Sequence, residues 1–95
     1  MRKKRSTPAH STAGKRLIGA MREVQTLEFA RRVREIRESL GLSQSDFAHE
    51  FGLSLRSLQE WEQGRRLPDS AVITYLRVIE RNPKAVQSAL KPNAA

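Results

Sequence analysis

The sequence predicts an all-α fold in one small domain, and three observations carry that prediction. Apolar residues recur at intervals of three and four, and no run alternates with the period of two that a half-buried strand requires. Helix-capping residues punctuate the chain: Ser43, Ser54, Asp69 or Ser70, and Asn82 at starts, with Gly41, Gly52 and Gly64 at ends. The chain has 95 residues, 38% of them hydrophobic, which is enough for one modest helical core.

Residues 1–13 combine Arg, Lys, Ser, Thr, Pro and Ala without periodicity and are expected to form a disordered basic tail. From Gly14 to Thr26, Leu17, Ile18, Met21 and Val24 form a narrow helical stripe with Lys15, Arg16 and Arg22 around it. This amphipathic segment, residues 14–26, is a candidate partner-binding element. Thr26 to Leu40 repeats the pattern with Phe29, Val33, Ile36 and Leu40, and Gly41 ends it. No proline or glycine separates the two stretches, so one long helix and two shorter ones both fit.

Ser43 followed by Asp46 makes a capping box that opens a helix over Gln44–Phe51. Ser54 caps the next, Leu55 to Gln63, and Gly64 closes it. Arg65 to Pro68 is a loop. A further helix runs to about Arg81 with Val72, Leu76 and Ile79 inward, and Asn82 with Pro83 at the first helical position starts a last short one. The domain therefore spans residues 27–90, and 91–95 are expected to be disordered.

Composition excludes several classes of function. There is no cysteine, hence no disulfide framework or thiolate metal site, as expected in a reducing cytoplasm. No apolar run approaches the roughly 20 residues that span a bilayer. The basic start, Met1 to Arg5, leads into no apolar segment of the secretory kind. His10 and His49 lack carboxylate or Cys company, so no metal is expected. No nucleophile–base set, phosphate-cradling Gly loop or paired-carboxylate cleft appears, and neither an enzyme nor a cofactor is expected.

The net charge is +8, but it is uneven. Residues 1–25 hold seven Lys/Arg against one Glu, a net of +6, and the remaining 70 hold eleven against nine acids, a net of +2. A polyanion partner is favoured. The globular part must then rely on where its arginines sit.

The stretch Gln44 to Gln63 supplies that placement. Ala48 in one short helix is followed four positions later by Gly52, and Leu58 and Trp61 anchor the next helix three residues apart. Two short helices cross closely only with little bulk at Ala48 and a positive φ tolerated near Gly52. This is the pattern of a helix-turn-helix, whose second helix is the usual reader of a DNA major groove. With Leu58 and Trp61 inward, Ser54, Leu55, Arg56, Ser57, Gln59 and Glu60 are the candidate base-contacting residues. Arg56 can fork onto guanine, Gln59 can pair with adenine, Leu55 can meet a thymine methyl, and Glu60 can accept from cytosine or repel phosphate. Ser43, Gln44, Gln63, Arg65 and Arg66 are the candidate phosphate contacts, the first two at a helix N-terminus and the rest at the far end of the recognition helix.

Leu42-Ser43-Gln44, Ala48, Gly52 and the run Trp61 to Pro68 resemble the Xre/Cro family of phage-repressor-type domains from about Val33 to Ile79. That resemblance implies a five-helix lambda-repressor-like helix-turn-helix domain, here with an extra N-terminal helix. More narrowly, Ser54 to Gln59, Glu62 to Arg66 and Leu76 to Pro83 resemble HigA-type antitoxins of type II toxin–antitoxin systems. Gly14 to Ile18 is similar to the helix that precedes the domain there. The resemblance covers roughly residues 14–90. It implies backbone contact at Gln44 and an internal ion pair between Arg37 and Glu62. It also implies a repressor of its own operon, at the nucleoid of a bacterial cytoplasm, and a small toxin partner of the RelE/HigB-like ribonuclease kind.

Three functions follow as expectations. The first is a sequence-specific repressor bound as a homodimer to a palindromic operator in double-stranded DNA, with half-sites about 34 Å apart. Tyr75, Val78, Val86 and Leu90 are then candidates for the dimer contact. The second is a toxin antidote that docks through Leu17, Ile18, Met21 and Val24, unless that stripe packs on the domain itself. The third is a less specific nucleic-acid binder driven by the basic N-terminus. A solitary regulator of the same family is the alternative to the antidote.

Overall fold

The structure, a computed structural model, describes residues 12–92, with side chains from Arg16 onward. The described residues form five helices: α1 (Thr12–Ser39), α2 (Gln44–Phe51), α3 (Leu55–Glu62), α4 (Ser70–Arg81) and α5 (Pro83–Leu90). There is no strand among the described residues. Most of the expected basic tail, and residues 93–95, lie outside them; Thr12 and Ala13 already belong to α1. No described helix is long and apolar enough to cross a membrane.

The extra N-terminal helix and the first helix of the domain are one element of 28 residues, about 42 Å long at 1.5 Å per residue. At Thr26, where the two stretches meet, the hydroxyl donates back to the Arg22 carbonyl (2.7 Å), which satisfies it without leaving the helix. The two apolar stripes face different ways. At about 100° per residue, the line through Leu17, Met21 and Val24 lies about 140° round the helix from that through Phe29, Ala30, Val33 and Ile36. Only the second stripe is covered. Every side chain from Arg16 to Gln25 is exposed, Leu17 by 63% and Val24 by 59%, so the first stripe does not pack on the domain.

Each remaining helix starts at a side-chain cap. Ser43 Oγ accepts the Asp46 amide (3.0 Å), Ser54 Oγ that of Ser57 (3.1 Å), and Asp69 Oδ1 that of Val72 (3.1 Å). Asn82 caps α5, with Pro83 at its start. Between α2 and α3 the chain reverses at Gly52, whose φ of +68° lets Leu53 N–H reach back to the Ala48 carbonyl (2.8 Å). Ala48 itself is buried, as a close crossing of α2 and α3 requires.

The core is Val33 and Ile36 of α1, Phe47, Ala48 and Phe51 of α2, Leu58 and Trp61 of α3, and Leu76 and Ile79 of α4. Phe29 meets the Trp61 ring edge-on at 6.3 Å, which makes Trp61 a core residue. Two of the four residues expected at a dimer contact are used internally. Tyr75 and Val86 pack against this core, and the Tyr75 hydroxyl donates to the Phe51 carbonyl (2.7 Å), a helix-end acceptor that α2 cannot satisfy itself. Val78 and Leu90 are half exposed. On the side of α1 toward α4, Arg32 forks onto Glu80 (3.0 and 3.1 Å).

Candidate nucleic-acid interface

Helix α3 turns Leu58, Trp61 and Glu62 inward and leaves the rest of its surface open. Ser54, Leu55 and Arg56 are exposed, and Ser57, Gln59 and Glu60 half-buried. The Arg56 side chain is 90% exposed, so its fork is available for a bidentate acceptor. Ser54 uses its oxygen as a cap and keeps its own proton to donate.

What orients α3 is its C-terminal end, held by α1. Glu62 is buried, and its carboxylate accepts from Arg37 Nε (2.8 Å) and Nη2 (2.9 Å) and from Gln44 Nε2 (3.1 Å). The hydrogen bond to Glu62 raises the Arg37 pKa above its already high value, although burial opposes it. Arg37 also donates to the Leu42 carbonyl (2.9 Å), and Arg34 to the Glu62 carbonyl (2.6 Å). A cation there meets the negative end of the α3 dipole. The Gln44 side chain is thus tied inward through one amide proton, which leaves the second for an outside acceptor.

Beyond α3, Gly64 takes φ +72° and the chain folds back, with Arg65 N–H donating to the Glu60 carbonyl (3.0 Å). A Cβ at Gly64 would lie 2.8 Å from Leu27 Cδ2, the tip of an exposed side chain that can swing aside, so the left-handed φ is what favours glycine here. The turn carries Arg65 and Arg66 to the end of α3, beside exposed Gln63. Arg66 Nε donates to Glu60 Oε1 (2.8 Å), and Arg56 Nε lies 3.7 Å from Glu60 Oε2. Ser43, Gln44, Gln63, Arg65 and Arg66 therefore fall at the start of α2 and the end of α3, on elements that Glu62 joins. Leu17, Ile18, Met21 and Val24 lie apart from them, on the outward half of α1.

Three features escaped the reading of the sequence. Arg34 sits one turn before Arg37 on the same face, a spacing that pointed to a shared target. Glu60, a candidate to accept from cytosine or to repel phosphate, also pairs with Arg56 and Arg66, and its position four residues after Arg56 was the signal for the first of those contacts. Leu27, 55% exposed and against Gly64, extends the outward stripe toward the α3 end. Among the described residues no group of His, Asp and Glu could hold a metal, and His49 is exposed and alone.

A helix pair crossing at a small residue, with the second helix presented outward and braced from behind, is the arrangement of a DNA-binding helix-turn-helix. A family model described as helix-turn-helix matches residues 33–84, and the chain belongs to this Xre-type family. It is 37% identical over 51 residues to the antitoxin HigA-2 of Vibrio cholerae, covering 54% of this chain and 49% of that protein. It is equally identical, over 51 residues, to YiaG of Escherichia coli, an uncharacterized HTH-type transcriptional regulator, covering 54% of this chain and 53% of YiaG. YazB of Bacillus subtilis, also an uncharacterized HTH-type regulator, is 42% identical over 45 residues, covering 47% of this chain and 65% of YazB. The chain spans about half the length of the first two relatives. No solved structure matches it.

Proposed function

We propose that the protein is a sequence-specific transcriptional repressor that binds an inverted-repeat operator as a homodimer, and that it is also the antitoxin of a toxin–antitoxin pair. The observation that carries the DNA-binding half is the braced, outward α3 with its exposed Arg56 and flanking Arg65 and Arg66. In this reading Arg56 and Gln59 contact base edges, with Ser54, Leu55 and Ser57 beside them. Ser43, Gln44, Gln63, Arg65 and Arg66 hold phosphates. One such helix spans only a few base pairs, so specificity needs a second copy. Val78 and Leu90, half exposed, are the apolar positions open for the contact.

The antitoxin half rests on the outward stripe of α1, whose exposed Leu17, Ile18, Met21 and Val24 have no role in the domain's own core. An amphipathic helix of this kind fits an apolar groove on a partner. The relative named as an antitoxin supports this reading, and the relatives named as HTH-type regulators support a solitary regulator equally. Selection from a randomised duplex pool tests the first half, with a palindromic consensus expected. Arg56→Ala should relax preference at one position and lose about 1–3 kcal/mol there, and Arg66→Ala should weaken all duplexes alike. Recovery of no consensus would sink it. Co-purification with the product of the adjacent reading frame, abolished by Met21→Glu, tests the second half.

A further inference from the structure

We propose that Glu60 is the specificity-setting residue of α3: one carboxylate that links Arg56 to Arg66 and penalises every duplex on which those arginines find no better acceptor. The proposal rests on the DNA-binding reading above. Its basis is a three-residue charge bridge made by two independent pieces of geometry. Along the helix, Arg56 and Glu60 are four apart and share a face, with Arg56 Nε 3.7 Å from Oε2. Across the turn, the left-handed Gly64 returns the chain so that Arg66 Nε reaches Oε1 at 2.8 Å.

The two contacts differ in strength. The short hydrogen bond holds Arg66, 55% exposed, in a preset position at the α3 end. The longer, solvent-screened contact leaves Arg56, 90% exposed, only tethered. Two cations share one anion, so these three side chains carry a net single positive charge. A carboxylate has no proton to donate, so beside phosphates it can only repel. On a duplex with the wrong base Arg56 stays with Glu60 and makes no contact of its own to the DNA, so nothing gained there offsets the repulsion. A duplex with a guanine acceptor takes Arg56 away from Glu60, and Arg66 then neutralises the carboxylate alone. The acid thereby lowers affinity for all DNA and lowers it most for the wrong DNA, which is how a repulsive element sharpens a choice.

The test is Glu60→Gln in the full chain, a change that keeps side-chain length at a residue outside the core. Two probes are used: a duplex selected by the unaltered protein from a randomised pool, and a scrambled duplex of equal composition. Affinity for the scrambled duplex should rise about three- to tenfold, with a steeper salt dependence, because one repelled charge is gone. Affinity for the selected duplex should rise less, so that the ratio of the two falls. The effects of Arg56→Ala and Arg66→Ala on binding should be coupled in the unaltered background and additive alongside Glu60→Gln. An unchanged ratio after Glu60→Gln, in a protein whose own ratio is large, overturns the bridge alone. A ratio near one in the unaltered protein overturns the DNA-reading assignment, and the bridge with it. Glu60→Asp, which keeps the charge, should preserve weak binding to the scrambled duplex.

Discussion

Arg37→Met tests the joint between α1 and the recognition helix. The substitution keeps the aliphatic stem and removes the guanidinium. It strips two of the three hydrogen bonds from the Glu62 carboxylate, whose side chain is 3% exposed, and leaves only Gln44 Nε2 at 3.1 Å. The Leu42 carbonyl loses its partner as well. Breaking a buried pair from one side costs about 3–5 kcal/mol. Arg37 is 14% exposed, so water can partly follow the carboxylate, and the lower part of that range, about 3–4 kcal/mol, applies. For a domain of this size that is a fall in Tm on the order of 15–25 °C. Urea denaturation followed by far-UV circular dichroism measures it, with the midpoint falling at constant slope. Arg37→Met combined with Glu62→Leu should recover most of the loss, because the penalty lies in the uncompensated charge. A single-variant loss below about 1 kcal/mol, the range of exposed pairs, would refute the reasoning.

Gly52→Ala and Gly64→Ala should each cost about 1–2 kcal/mol in the same denaturation assay, because both residues have left-handed φ, and the exposed Leu27 tip beside Gly64 can move aside at little further cost. Burial raises the pKa of Tyr75, so its neutral form is favoured in the folded state. Its contribution is intact below about pH 10, the unfolded value, and is lost as pH rises through the raised folded value. Tyr75→Phe should flatten that alkaline fall in thermal stability while costing about 1 kcal/mol at neutral pH for the bond to Phe51. Met21→Glu and Val24→Glu should leave Tm unchanged, since neither side chain contributes to the core, and a substantial fall would show that the stripe is packed.

Caps and turns were legible because their chemistry is local. Ser43, Ser54, Asp69 and Asn82 each accept an amide three residues on, and no distant contact decides it. Leu58 and Trp61 in α3, and Leu76 and Ile79 in α4, followed from period alone, whereas Phe47 and Phe51 of α2 show their burial only in the structure. The continuity of α1 did not, for a physical reason: a change of apolar face within one helix looks in sequence like a break between two. Tyr75 and Val86 were read as outward because short amphipathic helices do not reveal which apolar residues a neighbouring helix covers. The Glu60 bridge was hidden in another way. Its Arg56 half is a spacing, but its Arg66 half exists only because Gly64 turns the chain back. Candidate base readers could be named from a helix face, whereas their tethering depends on what the loop brings alongside.

The eight residues of α3 are too few for a helix to persist alone in water, so its orientation has to be imposed from outside. Alpha1 imposes it through contacts at one end: Leu27 against Gly64, Phe29 against Trp61, Arg34 on the Glu62 carbonyl and Arg37 on the Glu62 carboxylate. Those four positions span three turns of helix, and the outward stripe of Leu17 to Val24 ends in the turn before them. The element that fixes where Arg56 and Gln59 point is therefore the same continuous helix that carries Leu17, Met21 and Val24 into solvent. The division near residue 26, drawn from the sequence as a boundary between two segments, corresponds in space to a change of face on one body. In the proposed reading, a partner seated on the outward stripe would therefore sit on the same helix that braces the recognition helix.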